Sequence, residues 1–182
     1  MNVLNNTALR HIFIVSLTAL LGNGAVQATE PEHHTDKRWQ PVSGNAVHYF
    51  PTSIVHASVD TTLGKTEYST DTIDLSGDLK GRLVYHVTSD FDFSAATLTN
   101  TGHQVFSGTV LDSAPVMLLD DNFMFTVNLN NGDTRGSVFL TRRLAGPRIQ
   151  CRLSVTGTGF DAQGNGLAEY TGMCRQFTPV RR

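Results

Sequence analysis

The chain carries two cysteines, Cys151 and Cys174, and they sit on the two arms of one hairpin pattern. Pro147 to Phe177 reads as two alternating runs, P-R-I-Q-C-R-L-S-V-T-G-T-G-F and L-A-E-Y-T-G-M-C-R-Q-F, around the turn D-A-Q-G-N-G. A turn rich in Gly and Asn between alternating runs is the signature of a β-hairpin. A disulfide across adjacent antiparallel strands needs both side chains on one face. Cys151 alternates with Ile149, Leu153 and Val155, the apolar and therefore inward set. Cys174 must then share that face, and Ala168 and Tyr170 with it, while Glu169 points outward. A bulge between the arms would reverse this assignment. The alternative to the bond is a pair of buried free thiols.

The N-terminus places that hairpin in a compartment. Met1 to His11 is polar with Arg10 as its positive charge, Ile12 to Leu21 is apolar, and Val26-Gln27-Ala28 offers small residues for cleavage. This three-part pattern predicts a secretory signal peptide over residues 1–28. The protein is then secreted or periplasmic, where disulfides persist. The apolar run falls short of the roughly 20 residues a spanning helix needs. No transmembrane segment is therefore expected after signal removal; an uncleaved anchor is the alternative.

The remaining 154 residues suffice for one domain with a sizeable core. Residues 29–44 are polar, contain Pro31 and Pro41, and predict a flexible N-terminal arm; residues 45–182 predict the β domain. Trp39 is expected to pack against the domain or plug one end. Glu32, His33, His34 and Asp36 are metal-ligating types, but a cluster in a mobile polar segment reads as solvated chain. No metal and no cofactor are expected.

Beyond the arm the pattern is strand and turn. Val47 to Val59 is β-rich, with Pro51 forcing a bend or two short strands. Lys65 to Leu75 is Thr-rich and predicts a strand. Leu79, Gly81, Leu83, Tyr85 and Val87 alternate with a more polar set, the clearest half-buried strand of the chain. Thr97 to Leu111 follows, with Gly102 and Gly108 as candidate bulges or bends. Phe123, Phe125, Val127 and Leu129 alternate before the hairpin turn Asn130 to Asp133, and Thr134 to Arg143 returns. No long apolar run at helical spacing occurs. About eight strands joined by short turns predict a single antiparallel up-and-down β-barrel, with a β-sandwich as the alternative. An eight-stranded barrel is either packed solid or holds one small ligand.

Net charge is −2, so bulk electrostatics predicts no nucleic-acid partner. Residues 29–133 hold 5 basic and 14 acidic side chains, and residues 134–182 hold 8 basic and 2 acidic ones. The late cluster Arg142, Arg143, Arg148 and Arg152 is expected to pair with early acidic strands rather than to form an anion-facing rim.

The segments S-G-D-L-K-G-R-L-V-Y, V-F-S-G-T-V and G-T-G-F-D-A-Q-G-N-G-L-A-E-Y-T-G resemble small exported bacterial proteins of the allene-oxide-cyclase-like barrel type. The resemblance covers roughly Ser76 to Gly172 and its motifs are short and glycine-driven. It implies an eight-stranded calycin-like barrel with a mainly apolar cavity. No position here matches a cyclase's active residues, and a shared fold does not carry a reaction with it.

Motifs for nucleophilic, metal-dependent, nucleotide-binding or disulfide-exchange chemistry are missing. The expected cavity is lined by Leu83, Tyr85, Phe123, Phe125, Leu153 and Tyr170, with His103 as a polar contact. Tyr85, His103, Phe125 and Tyr170 are the candidate ligand-binding residues. Such walls suit a small apolar or amphipathic molecule. Three functions are compatible with these expectations: binding without turnover; a cofactor-free cyclase or isomerase; or a structural or interaction module of the envelope. An inward carboxylate or histidine beside the cavity would favour the second. A void-free interior with an exposed apolar patch would favour the third.

Overall fold

A computed structural model describes residues 34–36 and 38–179. The predicted signal peptide, residues 1–28, lies outside the described residues. Twelve strands are present among the described residues: β1 His34–Asp36, β2 Gln40–His48, β3 Ile54–Asp60, β4 Gly64–Gly77, β5 Leu79–Asp92, β6 Thr97–Val110, β7 Val116–Asp120, β8 Met124–Asn128, β9 Thr134–Leu140, β10 Arg142–Ala145, β11 Arg148–Phe160 and β12 Gly166–Pro179. A 3₁₀ turn, Phe50–Thr52, carries Pro51 between β2 and β3.

Eight of these strands close a ring in the order β2, β4, β5, β6, β8, β9, β11, β12 and back to β2. Every ring pairing is antiparallel, so the fold is an up-and-down barrel rather than a sandwich. The strand opposite β6 is broken. β8 pairs with the first part of β6 and β7 with its second part, and β10 adds to β7. β3 pairs with β4 and β1 with β12. Among the described residues no helix is long and apolar enough to cross a membrane.

The first ring strand starts inside the segment expected to be an arm. β2 begins at Gln40, and Val42 is buried against the core. Its inward positions Val42, Gly44 and Ala46 are too small to give a visible alternation. Pro41 is tolerated because β4 pairs with β2 only from Gly44 onward, which leaves one edge of β2 open at the proline. Gly44 cannot be larger: a Cβ there would meet the Ser76 carbonyl and the Tyr170 hydroxyl. Gly102 and Gly108 are not bulges, since β5 and β6 keep one register from Leu79↔Val110 to Asp92↔Thr97. They let the two backbones approach: a Cβ at Gly102 would strike the His86 carbonyl, and one at Gly108 the Lys80 carbonyl.

In the hairpin that carries both cysteines, Cys151 lies directly opposite Cys174, and the disulfide between them forms. The irregularity of this hairpin falls between Gly157 and Gly159, nearer the tip than the Val155↔Tyr170 pair. Tyr170 therefore faces inward with Cys174, and it is buried.

One end of the barrel is solid. Leu79, Val110, Leu118, Leu140, Ile149 and the disulfide fill it with almost no exposed surface. Among the described residues the late arginines do not mainly pair with acids. Arg142 lies 3.9 Å from Asp121, but Arg143 donates to the Gly146 carbonyl. Arg148 stacks on Phe177, and Arg152 stacks on Trp39. Planar guanidinium groups gain from aromatic faces as well as from carboxylates.

Candidate functional site

The other half of the barrel is hollow. A cavity of about 410 Å³ opens at the end that holds the 3₁₀ turn and the tip of the β11–β12 hairpin. That size lies within the roughly 300–1,000 Å³ of ordinary small-molecule sites. Its two walls differ. The wall made by β8, β9, β11 and β12 is apolar, through Phe125, Val138, Leu153, Val155 and Ala168.

The opposite wall carries a polar row across β2, β4, β5 and β6. Asp71 on β4 faces Tyr85 on β5, and Tyr85 faces Gln104 on β6. His48 on β2 pairs with Ile73, one inward position from Asp71. The His48 Nε2 lies 3.5 Å from Asp71 Oδ2, which also accepts the Ser69 hydroxyl at 3.2 Å. Asn100 projects from β6 nearer the mouth, opposite Phe125. His48, Tyr85, Asn100 and Gln104 line the cavity; Asp71, 5 % exposed, is not part of its lining surface.

Burial pushes the Tyr85 phenol well above its ordinary titration range, and the Asp71 carboxylate adds to the rise, against a lowering hydrogen bond from Asn100. Tyr85 is therefore a neutral hydroxyl at any physiological pH. Its ring packs on Phe123 at 4.6 Å between centroids and meets Phe125 edge-on at 6.2 Å. The His48 ring lies between Phe50, at 3.8 Å, and the edge of Tyr85, at 5.5 Å.

Gln104 is held from behind. Its Nε2 donates to Asp120 Oδ2 at 3.0 Å. The same carboxylate accepts the backbone N–H groups of Phe139 and Asn122, both at 2.8 Å. Asp120 thereby ties β6 to the break between β7 and β8. Among the described residues, four buried side-chain atoms have no hydrogen-bond partner: His48 Nε2, Asp71 Oδ1, Asn100 Oδ1 and Gln104 Oε1. A buried polar atom without a partner is costly, so its presence needs a physical reason.

The expected site residues divide. Tyr85, Phe125 and Tyr170 all line the cavity, as does Leu153. The Tyr170 hydroxyl, however, is engaged with the backbone of Ser76 and Leu79, so only its ring faces the hollow. Phe123 is in the core beneath. His103 is on the outer face, exposed and stacked on His86 at 4.8 Å. Its neighbour Gln104 takes the inward place. Val105 and Phe106 are adjacent apolar residues on opposite faces, so β6 alone does not reveal its phase; its register with β5 does. Sequence reasoning also misses His48, Asp71 and Asn100. A signal for Asp71 exists, since it shares the alternation of Ile73 and Leu75.

Among the described residues no group of three or more His, Cys, Asp or Glu side chains is placed to hold a metal. No protein-family model, no curated protein and no solved structure matches the chain.

Proposed function

We propose that this barrel binds one small amphipathic molecule in its interior, with the apolar body against Phe125, Leu153 and Val155 and the polar end toward the row from His48 to Gln104. The observation that carries the reading is a cavity of about 410 Å³ with one apolar wall and one wall holding unpartnered polar atoms. Export to a secreted or periplasmic location is part of the proposal, supported by the Cys151–Cys174 bond. So is kinship with calycin-like barrels of the allene-oxide-cyclase-like type; the closed eight-stranded ring is compatible with it.

Gentle purification of the mature protein from its own host, then native mass spectrometry and organic extraction, tests the binding reading. A discrete co-purifying molecule is expected. A protein that arrives empty and stays empty against a panel of lipophilic compounds would overturn it.

A second reading has its own support. An inward histidine beside the cavity favours a cofactor-free isomerase or cyclase, and His48 lines the cavity 3.5 Å from Asp71. His48 would take and return a proton, Asp71 would stabilise its charged form, and neutral Tyr85 would donate a hydrogen bond. On this reading the extracted molecule is interconverted with an isomer, and His48→Gln abolishes conversion while retaining binding. An interaction module was expected to have a void-free interior, and the cavity counts against it.

A further inference from the structure

The polar wall specifies the head group of the occupant, provided that the cavity binds an amphipathic molecule as proposed. Four buried atoms among the described residues lack partners. Three of them, Asp71 Oδ1, Asn100 Oδ1 and Gln104 Oε1, are oxygens that accept hydrogen bonds. The orientation of the Gln104 amide is set by its neighbour: its Nε2 donates to Asp120 Oδ2, and a reversed amide would set oxygen against oxygen. Gln104 lines the cavity, and its buried oxygen is thus the atom left without a partner.

Charge points the same way. The buried carboxylates among the described residues are Asp71 and Asp120, and the ionisable base beside Asp71 is His48. Among the described residues no Lys or Arg lines the cavity. Asp120 is already satisfied by three N–H donors, whereas Asp71 keeps one oxygen without a partner.

We infer that the ligand is an apolar chain or ring system bearing a primary ammonium head, and that carboxylate-headed lipids are rejected. An ammonium brings three N–H donors and a positive charge to a polar row that holds three buried oxygens without partners. A carboxylate would bring further acceptors and a like charge into a low-dielectric space beside Asp71, an arrangement that costs affinity. An alcohol brings one O–H donor and no charge, so it ranks between.

The test uses three probes with the same apolar body: decylamine, 1-decanol and decanoate. Each competes against the neutral fluorophore N-phenyl-1-naphthylamine on the mature, oxidised protein. Decylamine is expected to bind at least about tenfold more tightly than decanoate, with decanol between them. In Asp71→Asn the amine-over-carboxylate preference should shrink to roughly threefold or less. Decanoate equal to or tighter than decylamine on the wild-type protein overturns the inference without any variant having to fold. A preference that survives in folded Asp71→Asn also overturns it. Binding of the fluorophore with the wrong head-group order sinks the head-group inference alone. Failure of the fluorophore and all three probes to bind sinks the cavity reading, and this inference with it.

Discussion

The Tyr170 hydroxyl accepts the backbone N–H of Leu79 at 2.8 Å and donates to the Ser76 carbonyl at 3.0 Å. Its ring reaches that β4–β5 turn by crossing Gly44, its directly paired neighbour on β2. Three strands are thereby tied at one point, and the glycine is the condition for the crossing. Tyr170→Phe leaves the Leu79 N–H buried without a partner and should cost about 1–3 kcal/mol of stability. Denaturant melts would measure the loss, and an unchanged far-ultraviolet circular dichroism spectrum would show that the barrel persists. At the same scale, a one-residue displacement separates the expected His103 from the observed Gln104. In a strand that displacement is the difference between solvent and interior.

Among the elements, β11 and β12 are joined by a disulfide that spans 23 residues of sequence. Opening it in Cys151→Ser should lower stability by about 2–4 kcal/mol through a less constrained unfolded chain. The barrel should remain, and the melting temperature of the variant against the oxidised parent is the check. β3 is held differently. All of its residues are exposed, and it pairs with β4 along one edge. Thr70 on β4 bridges outward to His56 Nε2 at 2.8 Å and to His86 Nδ1 at 2.9 Å, and His86 stacks on His103. Burial, and then the neighbouring His103 and His56, hold His86 below the usual histidine range. The unfolded chain therefore binds a proton at His86 more readily than the folded one. The stability this gives is present above the unfolded value, about pH 6.5, and is lost as pH falls below it toward the depressed folded value. Denaturant unfolding across that window should show declining stability on acidification, and His86→Gln should flatten the decline.

At the scale of the whole molecule, the barrel is solid at one end and hollow at the other. The solid end holds the large aliphatic side chains and the disulfide. It closes the ring where β4 turns into β5 and where β11 begins. With closure secured there, the opposite end can keep a cavity whose inward positions include small residues, Ala46, Gly157, Gly166 and Ala168. The same division sets the head-group experiment apart from the stability experiments. The probes address the polar row in the hollow half, whereas Tyr170→Phe removes only a hydroxyl held at the β4–β5 turn and Cys151→Ser acts on the solid half.

Much of the architecture was legible in the chain alone. Alternation along Leu79 to Val87, glycine-rich turns and the opposed cysteines are local signals, and local signals suffice for strand, turn and the face of Tyr170. β2 was not legible before residue 45, because Val42, Gly44 and Ala46 are small and Pro41 reads as a breaker until the open edge beside it is known. The polar row was not legible either. His48, Asp71, Tyr85 and Gln104 are spread over four segments, and each alone looks like an ordinary strand residue. Only closure of the ring decides that their strands are neighbours and that all four face one interior. Sequence periodicity assigns a residue to a face; which faces meet, and whether space is left between them, depends on long-range pairing and on the summed volume of side chains from every strand.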